Sequence, residues 1–249
     1  LDSVYGKGPA GSPELYEADG MRLKLGAPIS GSPDAGSRDL PRDATGRALI
    51  GDPRNDENRI VAGIHALFIR FHNQMVDAVR RERPRLTNTQ VFNEARRRVV
   101  QQYQQLILFD YLPRIVDGQT FNDVVRIRGG RITPNLRFYN ACQQMPVEFS
   151  VAAYRFGHSQ VRGLYRINDT VDRLPVFSGT FGTPGIDLVG FSPSPTNFGI
   201  DWSYFFGKGF GDTRAQAGYK FDASLTNSLS LLPLPVSSEG PANLAQRNL

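Results

Sequence analysis

Residues 51–73 read GDPRNDENRIVAGIHALFIRFHN, and this stretch decides the expected fold class. A dense polar cluster is followed at once by apolar residues that recur every three or four positions, which predicts an amphipathic helix over residues 56–81. Asn55 or Asp56 is placed to cap the start of this helix, and Pro84 lies just past its end. The apolar residues of the pattern are Ile60, Ile64, Leu67, Phe68, Phe71, Met75 and Val79.

The segments on either side of this helix differ sharply in pattern. Residues 1–50 are rich in Gly, Pro, Ser and Asp and lack periodicity, so we expect an extended segment that lies on a larger body. Residues 89–112 predict a second long helix, capped by Thr89 and ended or kinked by Pro113. Its buried stripe is expected to consist of Phe92, Val99, Tyr103, Leu106, Phe109 and Tyr111.

The rest of the chain predicts short elements joined by long loops. A hairpin is expected around Gly129 and Gly130, a third helix over residues 147–162, and a short helical piece over residues 202–206. Pro241 opens one more helical pattern, and the chain ends inside it. Because the first residues also lack a start signal, we expect a fragment or a processed piece of a longer protein.

Composition excludes several classes of protein. Hydrophobic residues make up 40% and charged residues 21%, as in an ordinary globular domain. The longest apolar run is four residues, so we expect no membrane span. Cys142 is the single cysteine, which excludes an internal disulfide and a cysteine-rich metal site. The net charge is +5, but basic and acidic residues are interleaved, so we expect no nucleic-acid partner.

Few residues carry the patterns of catalysis or metal binding. His65 and His72 lie about 10 Å apart along one helix, too far to share a metal ion, and are interpreted as structural. His158 follows Gly157, which leaves room for a flat group; a structural role and ligation of a metal or haem both stay open. Arg54 and Glu57 either form a local ion pair at a helix cap or project together into a cavity.

In combination, these segments resemble the animal-type haem peroxidase superfamily, and compact loops favour its bacterial branch. Residues 51–58 and 65–73 resemble the distal-arginine motif and its helix. Residues 148–158 resemble the proximal-histidine helix, and residues 244–249 the start of the helix behind it. Residues 1–6 are similar to the end of a calcium-binding loop. The resemblance implies a mainly α, incomplete haem peroxidase fold with long irregular loops.

The resemblance also implies a haem b cofactor and a role for each matched residue. His158 would be the proximal ligand of the iron, and Asn248 would accept its other ring N–H. Arg54 would lie on the distal side and polarise hydrogen peroxide. Glu57 matches the family glutamate that can form an ester with haem. Arg155 would suit a haem propionate.

Three departures from the family pattern matter. The family's distal histidine lies upstream of the segment matched by residue 1, so it is absent here. Asp2 matches a calcium-loop position, but the other half of that site is missing, so calcium is expected only in the complete protein. Asn58 stands where the family has a methionine, which excludes a sulfonium link to haem. The missing segments would come from the same parent chain or from a partner chain.

We therefore expect residues 1–249 to be the central part of a single haem peroxidase domain, with 1–50 an extended segment and 51–249 the haem-binding region. The expected activity is reduction of hydrogen peroxide coupled to oxidation of a halide, a phenol or another small donor. A haem-based fatty-acid dioxygenase and a non-catalytic adhesion module on this scaffold are the alternatives. The expected location is secreted or extracellular, with the periplasm as the other option.

Overall fold

Two antiparallel helices, α2 (Arg59–Glu82) and α3 (Asn88–Leu106), form the body of the computed structural model. The structure describes residues 1–129, 131–136, 144–178, 185–207, 214–223 and 229. The remaining α-helices are short: α1 (Asp2–Tyr5), α4 (Leu112–Ile115), α5 (Gly118–Val124), α6 (Val147–Val151) and α7 (Ser203–Phe206). 3-10 helices span Pro13–Leu15, Pro53–Asp56 and Ala153–Gln160, and a π-helix spans Ile107–Tyr111.

The described part of the chain carries little sheet. β1 (Val125–Arg128) pairs antiparallel with β2 (Arg131–Pro134), and β3 (Leu164–Tyr165) pairs antiparallel with β4 (Leu174–Pro175). The first pair is the hairpin expected around Gly129, whose positive φ of 55° suits glycine at the turn. The predicted fold class, mainly helical with long irregular connections, is confirmed. No described helix has the length and apolar character needed to cross a membrane.

The caps of both long helices lie elsewhere than predicted. α2 begins after Asn58, whose side-chain oxygen accepts a hydrogen bond from the Ile60 N–H at 2.9 Å. Thr87, two residues before the predicted Thr89, caps α3 and forms a reciprocal capping box with Gln90. In both cases the predicted residue type was right, but the position was wrong by two or three residues.

The buried face of α2 is rotated from the predicted apolar stripe. Of the residues in that stripe only Val79 is fully buried, whereas Ile64 lies exposed. Ala62 and Ala66 are buried because small side chains let neighbouring segments approach closely. The buried His65 and His72 are hydrogen-bonded to other side chains. The buried residues of α2 are Arg59, Ala62, His65, Ala66, Ile69, His72, Val76 and Val79.

The N-terminal segment contributes to the main core rather than forming its own. Tyr5, Leu15, Tyr16, Leu23 and Leu40 are buried in one cluster with α2 and α3. The expectation that residues 1–50 lie on a larger body is therefore confirmed. A second core cluster consists of Ile167, Leu174, Leu188, Phe198 and Ile200, with Trp202 and Phe205 packed against it.

The second half of the α3 stripe is uncovered by other described residues. Leu106, Phe109 and Tyr111 are exposed, while Val91, Phe92, Ala95 and Val99 in the first half are buried. The π-helix at Ile107–Tyr111 lies just ahead of Pro113. A wider turn accommodates a proline that has no N–H to donate. The helical path therefore continues through Pro113, which is the second residue of α4.

The predicted helix over residues 147–162 is divided in two. α6 ends at Val151, and Ala152 has non-helical dihedral angles (φ −126°, ψ −72°). The chain then continues as a 3-10 helix over Ala153–Gln160. Gly157 lies inside this second piece, and glycine disfavours a regular α-helix by about 1 kcal/mol. The predicted single α-helix is therefore wrong.

Candidate functional site

The turn that carries Arg54 is a 3-10 helix held by its own cap. Asp52 Oδ1 accepts the Arg54 backbone N–H at 3.0 Å, and Pro53 occupies the first helical position. The Asp52 carboxylate also binds the Arg54 side chain, with Nη2 to Oδ2 at 2.6 Å and Nε to Oδ1 at 3.1 Å. Arg54 thus pairs with Asp52, and its side chain is 74% exposed.

This pairing stabilises the charged forms of both Asp52 and Arg54. The hydrogen bond from Arg54 holds the pKa of Asp52 below its usual value. The same bond raises the pKa of Arg54, with smaller contributions from the charges of Glu57 and Tyr154. Nε and Nη2 face Asp52, while Nη1 has no partner among the described residues. Arg54 therefore carries a permanent positive charge and keeps Nη1 as a donor that no described residue uses.

A buried ion pair anchors the far side of the same turn. The guanidinium of Arg42 binds both oxygens of Asp56, at 2.7 and 2.8 Å, and reaches Asp39 at 3.0 Å through Nε. The side chains of Arg42 and Asp56 are only 7% and 3% exposed. Asp56 was predicted as a helix cap, but it serves to tie the Arg54 turn to the N-terminal segment.

A buried histidine holds the middle of the turn. Asn55 Nδ2 lies 2.9 Å from His65 Nδ1, and the His65 residue is 3% exposed. Because the amide donates, Nδ1 accepts and the ring proton lies on Nε2, which has no partner among the described residues. Burial lowers the pKa of His65 to about 4, so the ring is neutral at pH 7. The structural interpretation of His65 is confirmed.

The residues after the turn are bound to the 187–191 segment. Backbone hydrogen bonds join Gly190 N to Glu57 O at 3.0 Å and Arg59 N to Leu188 O at 2.8 Å. A Cβ on Gly190 would lie 1.7 Å from the Asp56 carbonyl oxygen, so only glycine fits there. Asn58 caps α2 and donates to the Val176 carbonyl at 3.2 Å, so its side chain is committed to the fold.

The helix that carries His158 presents three distinct faces, because residues three apart align in a 3-10 helix. One face packs: the Phe156 and Phe221 ring centroids lie 4.5 Å apart, and the Asp222 N–H donates to Ser159 Oγ at 3.2 Å. A second face carries Arg155 and His158. The third is open, because a Cβ on Gly157 would come no closer than 4.0 Å to another residue.

The His158 ring is suited to ligation. It is half-buried, and burial together with the nearby Arg155 cation lowers its pKa. The ring is therefore neutral at pH 7, and no hydrogen bond joins it to any other described residue. A neutral imidazole with a free ring nitrogen is the form that binds a metal. Arg155 Nε donates to the Ser150 carbonyl at 3.0 Å, which orients its guanidinium.

The Arg54 turn and the His158 helix are linked electrostatically. The Tyr154 hydroxyl is within electrostatic reach of the Arg54 guanidinium. Tyr154 is highly exposed and belongs to the open face of the 3-10 helix. The sequence-predicted residues Arg54 and Glu57 lie in the Arg54 turn and at its end, and Arg155 and His158 lie on the 3-10 helix. Asn248, the fifth predicted site residue, lies outside the described residues.

Sequence reasoning missed the residues that position these side chains. Asp52 had a readable signal, since an acid before Pro53 is a frequent start of a helical turn. The Arg42–Asp56 and Asn55–His65 contacts had none, because they join residues 14 and 10 positions apart that meet only through tertiary folding. The described residues hold no group of three or more His, Cys, Asp or Glu side chains that could bind a metal ion.

Comparison with known proteins agrees with this architecture. The sequence model of the family described as "Animal haem peroxidase" matches residues 1–185, so the chain belongs to the animal haem peroxidase family. Human thyroid peroxidase is 32% identical over 142 residues, 56% of this chain and 14% of the relative. Drosophila melanogaster chorion peroxidase is 27% identical over 186 residues, 69% of this chain and 22% of the relative.

A solved structure shares the fold. Peroxidase A from Dictyostelium discoideum superimposes with a TM-score of 0.58 at 20% identity, covering 99% of this chain and 45% of that one. The matched regions therefore span less than a quarter of the two sequence relatives and less than half of the structural relative.

The buried His65 predicts that stability falls as the pH is lowered. Its pKa is about 4 in the folded chain and about 6.5 when unfolded, so the unfolded state binds more protons between these values. Stability should be full above pH 6.5 and fall by about 3 kcal/mol towards pH 4. Urea unfolding of wild type and His65→Gln at several pH values measures this. An equal pH slope in both would contradict it.

Proposed function

We propose that this chain supplies the haem-binding part of a peroxidase that reduces hydrogen peroxide and oxidises a small donor such as a halide or a phenol. The observation that carries this proposal is the half-buried, neutral His158 ring, which no other described residue engages. Family membership supports haem as the group that the ring would bind. The Arg54 turn, whose cation keeps a free donor among the described residues, supports peroxide as the reactant.

The chemistry of the donor residues fits haem b. Bound haem would supply the iron that exchanges electrons with peroxide. His158 would hold the iron through one ring nitrogen, and Asn248 would accept the proton on the other. Arg155 lies on the same face as His158, where its cation suits a propionate. Asn58, committed to its cap, is not available for a covalent link.

Arg54 would bind and orient hydrogen peroxide. Asp52 holds the Nε–Nη2 edge of its guanidinium, which leaves Nη1 to donate to a peroxide oxygen. A fixed cation stabilises negative charge as it develops on the leaving oxygen. Proton transfer would need a base, and we propose that the distal histidine comes from the same parent chain or a partner chain. Calcium, for which Asp2 is the single matched residue, is likewise proposed only for the complete protein.

Haem reconstitution tests the proposal directly. The chain is incubated with haem b, passed through a desalting column, and assayed by pyridine haemochrome and by its Soret band. We expect stoichiometric haem and a Soret shift on adding hydrogen peroxide. A chain that retains no haem would overturn the proposal. Fatty-acid-dependent oxygen consumption would instead support a dioxygenase.

Replacing Arg54 should slow the reaction with peroxide while leaving haem content unchanged. Loss of one preorganised charge donor in a site of this kind costs about a hundredfold in rate. We therefore expect Arg54→Ala, in protein that contains the distal histidine, to react about a hundredfold more slowly in stopped flow. Arg131→Ala, on the exposed strand β2, is the matched control. Equal rates for all three proteins would contradict a role for Arg54.

Glu57→Gln tests the proposed ester link. An ester carboxylate keeps haem attached to the polypeptide in acidic organic solvent, and an amide side chain cannot form that bond. We expect haem to stay with the wild-type chain after peroxide treatment and to be extracted from Glu57→Gln. Mass spectrometry of haem peptides gives the site. If haem is extracted equally from the wild type, the ester is absent.

We also propose an extracellular location, which rests on the resemblance alone. Fractionation of the source cells with an antibody against this chain tests it. Recovery of the protein in the cytosol would contradict the proposal.

A further inference from the structure

A hydrogen-bonded pair of buried side chains lies in the main core. The hydroxyl of Tyr5, at the end of α1, is 3.1 Å from His72 Nδ1, on α2. The two residues are 1% and 0% exposed. On its other side the His72 ring lies 2.8 Å, through Nε2, from the carbonyl oxygen of Met21.

These contacts decide which atom carries each proton. A carbonyl oxygen can only accept, so His72 Nε2 carries the ring proton and donates it to Met21. Nδ1 therefore has a free lone pair, and the Tyr5 hydroxyl donates to it. Tyr5 is thus a phenol hydrogen-bonded to a base, inside a protein core, with the proton acceptor already in position.

This arrangement has a known chemical consequence. Removing one electron from a phenol makes its hydroxyl strongly acidic, so oxidation is favourable only when a base takes the proton at the same time. We propose that Tyr5 and His72 form a redox-active pair that accepts one oxidising equivalent. The electron leaves the Tyr5 ring for an outer-sphere one-electron oxidant, the Tyr5 O–H bond breaks, and an N–H bond forms at His72 Nδ1. An external one-electron donor returns the electron, and the proton moves back to Tyr5.

The surrounding charges agree with these protonation states. Burial, with a smaller effect of Tyr16, raises the pKa of Tyr5 against the opposing charge of Arg96, so the phenol keeps its proton. Burial lowers the pKa of His72 despite the Met21 hydrogen bond and the charge of Asp19, so Nδ1 stays free at pH 7. Phe92 packs edge-on against both rings and is uncharged.

The Tyr5 ring lies only one side chain below the surface. The exposed Arg96 covers it, with its guanidinium carbon 5.4 Å from the ring centroid. An oxidant at the surface can therefore withdraw an electron without contacting Tyr5. In the haem-loaded protein, haem oxidised by peroxide would be an internal oxidant, but the pair does not depend on the proposed function.

Tyr16 is a matched control for Tyr5, because it is a second buried tyrosine whose hydroxyl has no base as its partner. It is buried in the same cluster, and its pKa is raised to about 12 by burial, with Arg96 acting in the opposite direction. Its hydroxyl donates to the Tyr5 backbone carbonyl at 2.8 Å, which is not a base. Tyr5 and Tyr16 thus match in burial and differ in the group that would take the proton.

Flash photolysis of the haem-free full chain tests the pair. A ruthenium polypyridyl complex, oxidised by a light pulse and a quencher, serves as the one-electron oxidant, and transient absorption and electron paramagnetic resonance detect tyrosyl radicals. We expect a long-lived radical whose formation does not depend on buffer concentration, because His72 is the base. Radicals on exposed tyrosines should instead form faster as the buffer concentration rises, because these tyrosines need buffer as the base.

The variants decide the assignment. The buffer-independent radical should persist in Tyr16→Phe and be lost in Tyr5→Phe, with folding checked by circular dichroism. In the wild type it should also decline as the pH is lowered far enough to protonate His72. Persistence in Tyr5→Phe, or no such radical in the wild type, would overturn the proposal. Since no haem is present, these outcomes are independent of haem binding.

Discussion

Replacing His158 with alanine is expected to abolish retention of haem by the chain. The chain has three histidines, and two of them, His65 and His72, are buried and hydrogen-bonded within the protein. His158 alone combines partial burial with a ring that no other described residue engages. Because one imidazole would hold the iron, its removal leaves no axial ligand. The haem-to-protein ratio after desalting, measured by pyridine haemochrome, should fall to background.

Two companion variants separate ligation from folding. Gln160→Ala changes an exposed side chain on the same 3-10 helix and should keep full haem content. His158→Gly creates a space that free imidazole can occupy, so haem binding should return when imidazole is added. Haem retention by His158→Ala with an unchanged spectrum would place the ligand elsewhere.

Replacing Arg42 with alanine is expected to lower the free energy of unfolding more than any other substitution proposed for this chain. The change would leave Asp56 and Asp39, with side chains 3% and 9% exposed, buried without their cation. Breaking a buried ion pair in this way costs about 3–5 kcal/mol. Urea unfolding followed by circular dichroism measures the free energy of unfolding. A loss under 1 kcal/mol would contradict the assigned role of Arg42.

The control for Arg42 is an exposed ion pair of similar geometry. Arg114 binds Asp110 at 2.7 Å on the surface, and Arg114→Ala should change the free energy of unfolding by about 0.5 kcal/mol or less. The double variant Arg42→Ala with Asp56→Ala removes both charges of the main pair. It should be less destabilised than the sum of the two single variants, since neither buried charge is then left unpaired.

Local patterns predicted the helices better than they predicted which face of each is buried. The spacing of apolar residues located α2 and α3 to within a few positions, because helix formation depends on neighbours along the chain. The same spacing placed Ile64 in the core, yet it lies exposed, whereas Ala66 and His72 are buried. Which face is buried depends on the segments that pack against it, and those are distant in sequence.

The candidate site shows the same difference between features that are local in the sequence and features that depend on distant segments. Arg54, Glu57 and His158 were identified from residue type and order, and they remain predictions as site residues. The contacts that hold the Arg54 turn were not visible in the sequence: Arg42 reaches Asp56 across a loop, and Asn55 meets His65 ten positions away. The packing of the 3-10 helix was equally hidden, since Phe156 and Ser159 contact Phe221 and Asp222, which are more than 60 positions away.

The sequence alone determined the fold class, the family and the chemical types of the proposed site residues. These follow from periodicity and from the order of short motifs, which are properties of neighbouring residues. Only the tertiary structure decided that Arg42 reaches Asp56, that Asn55 meets His65, and that Tyr5 meets His72. Such pairings depend on distances across the core, and those distances are established when α2, α3 and the N-terminal segment pack together.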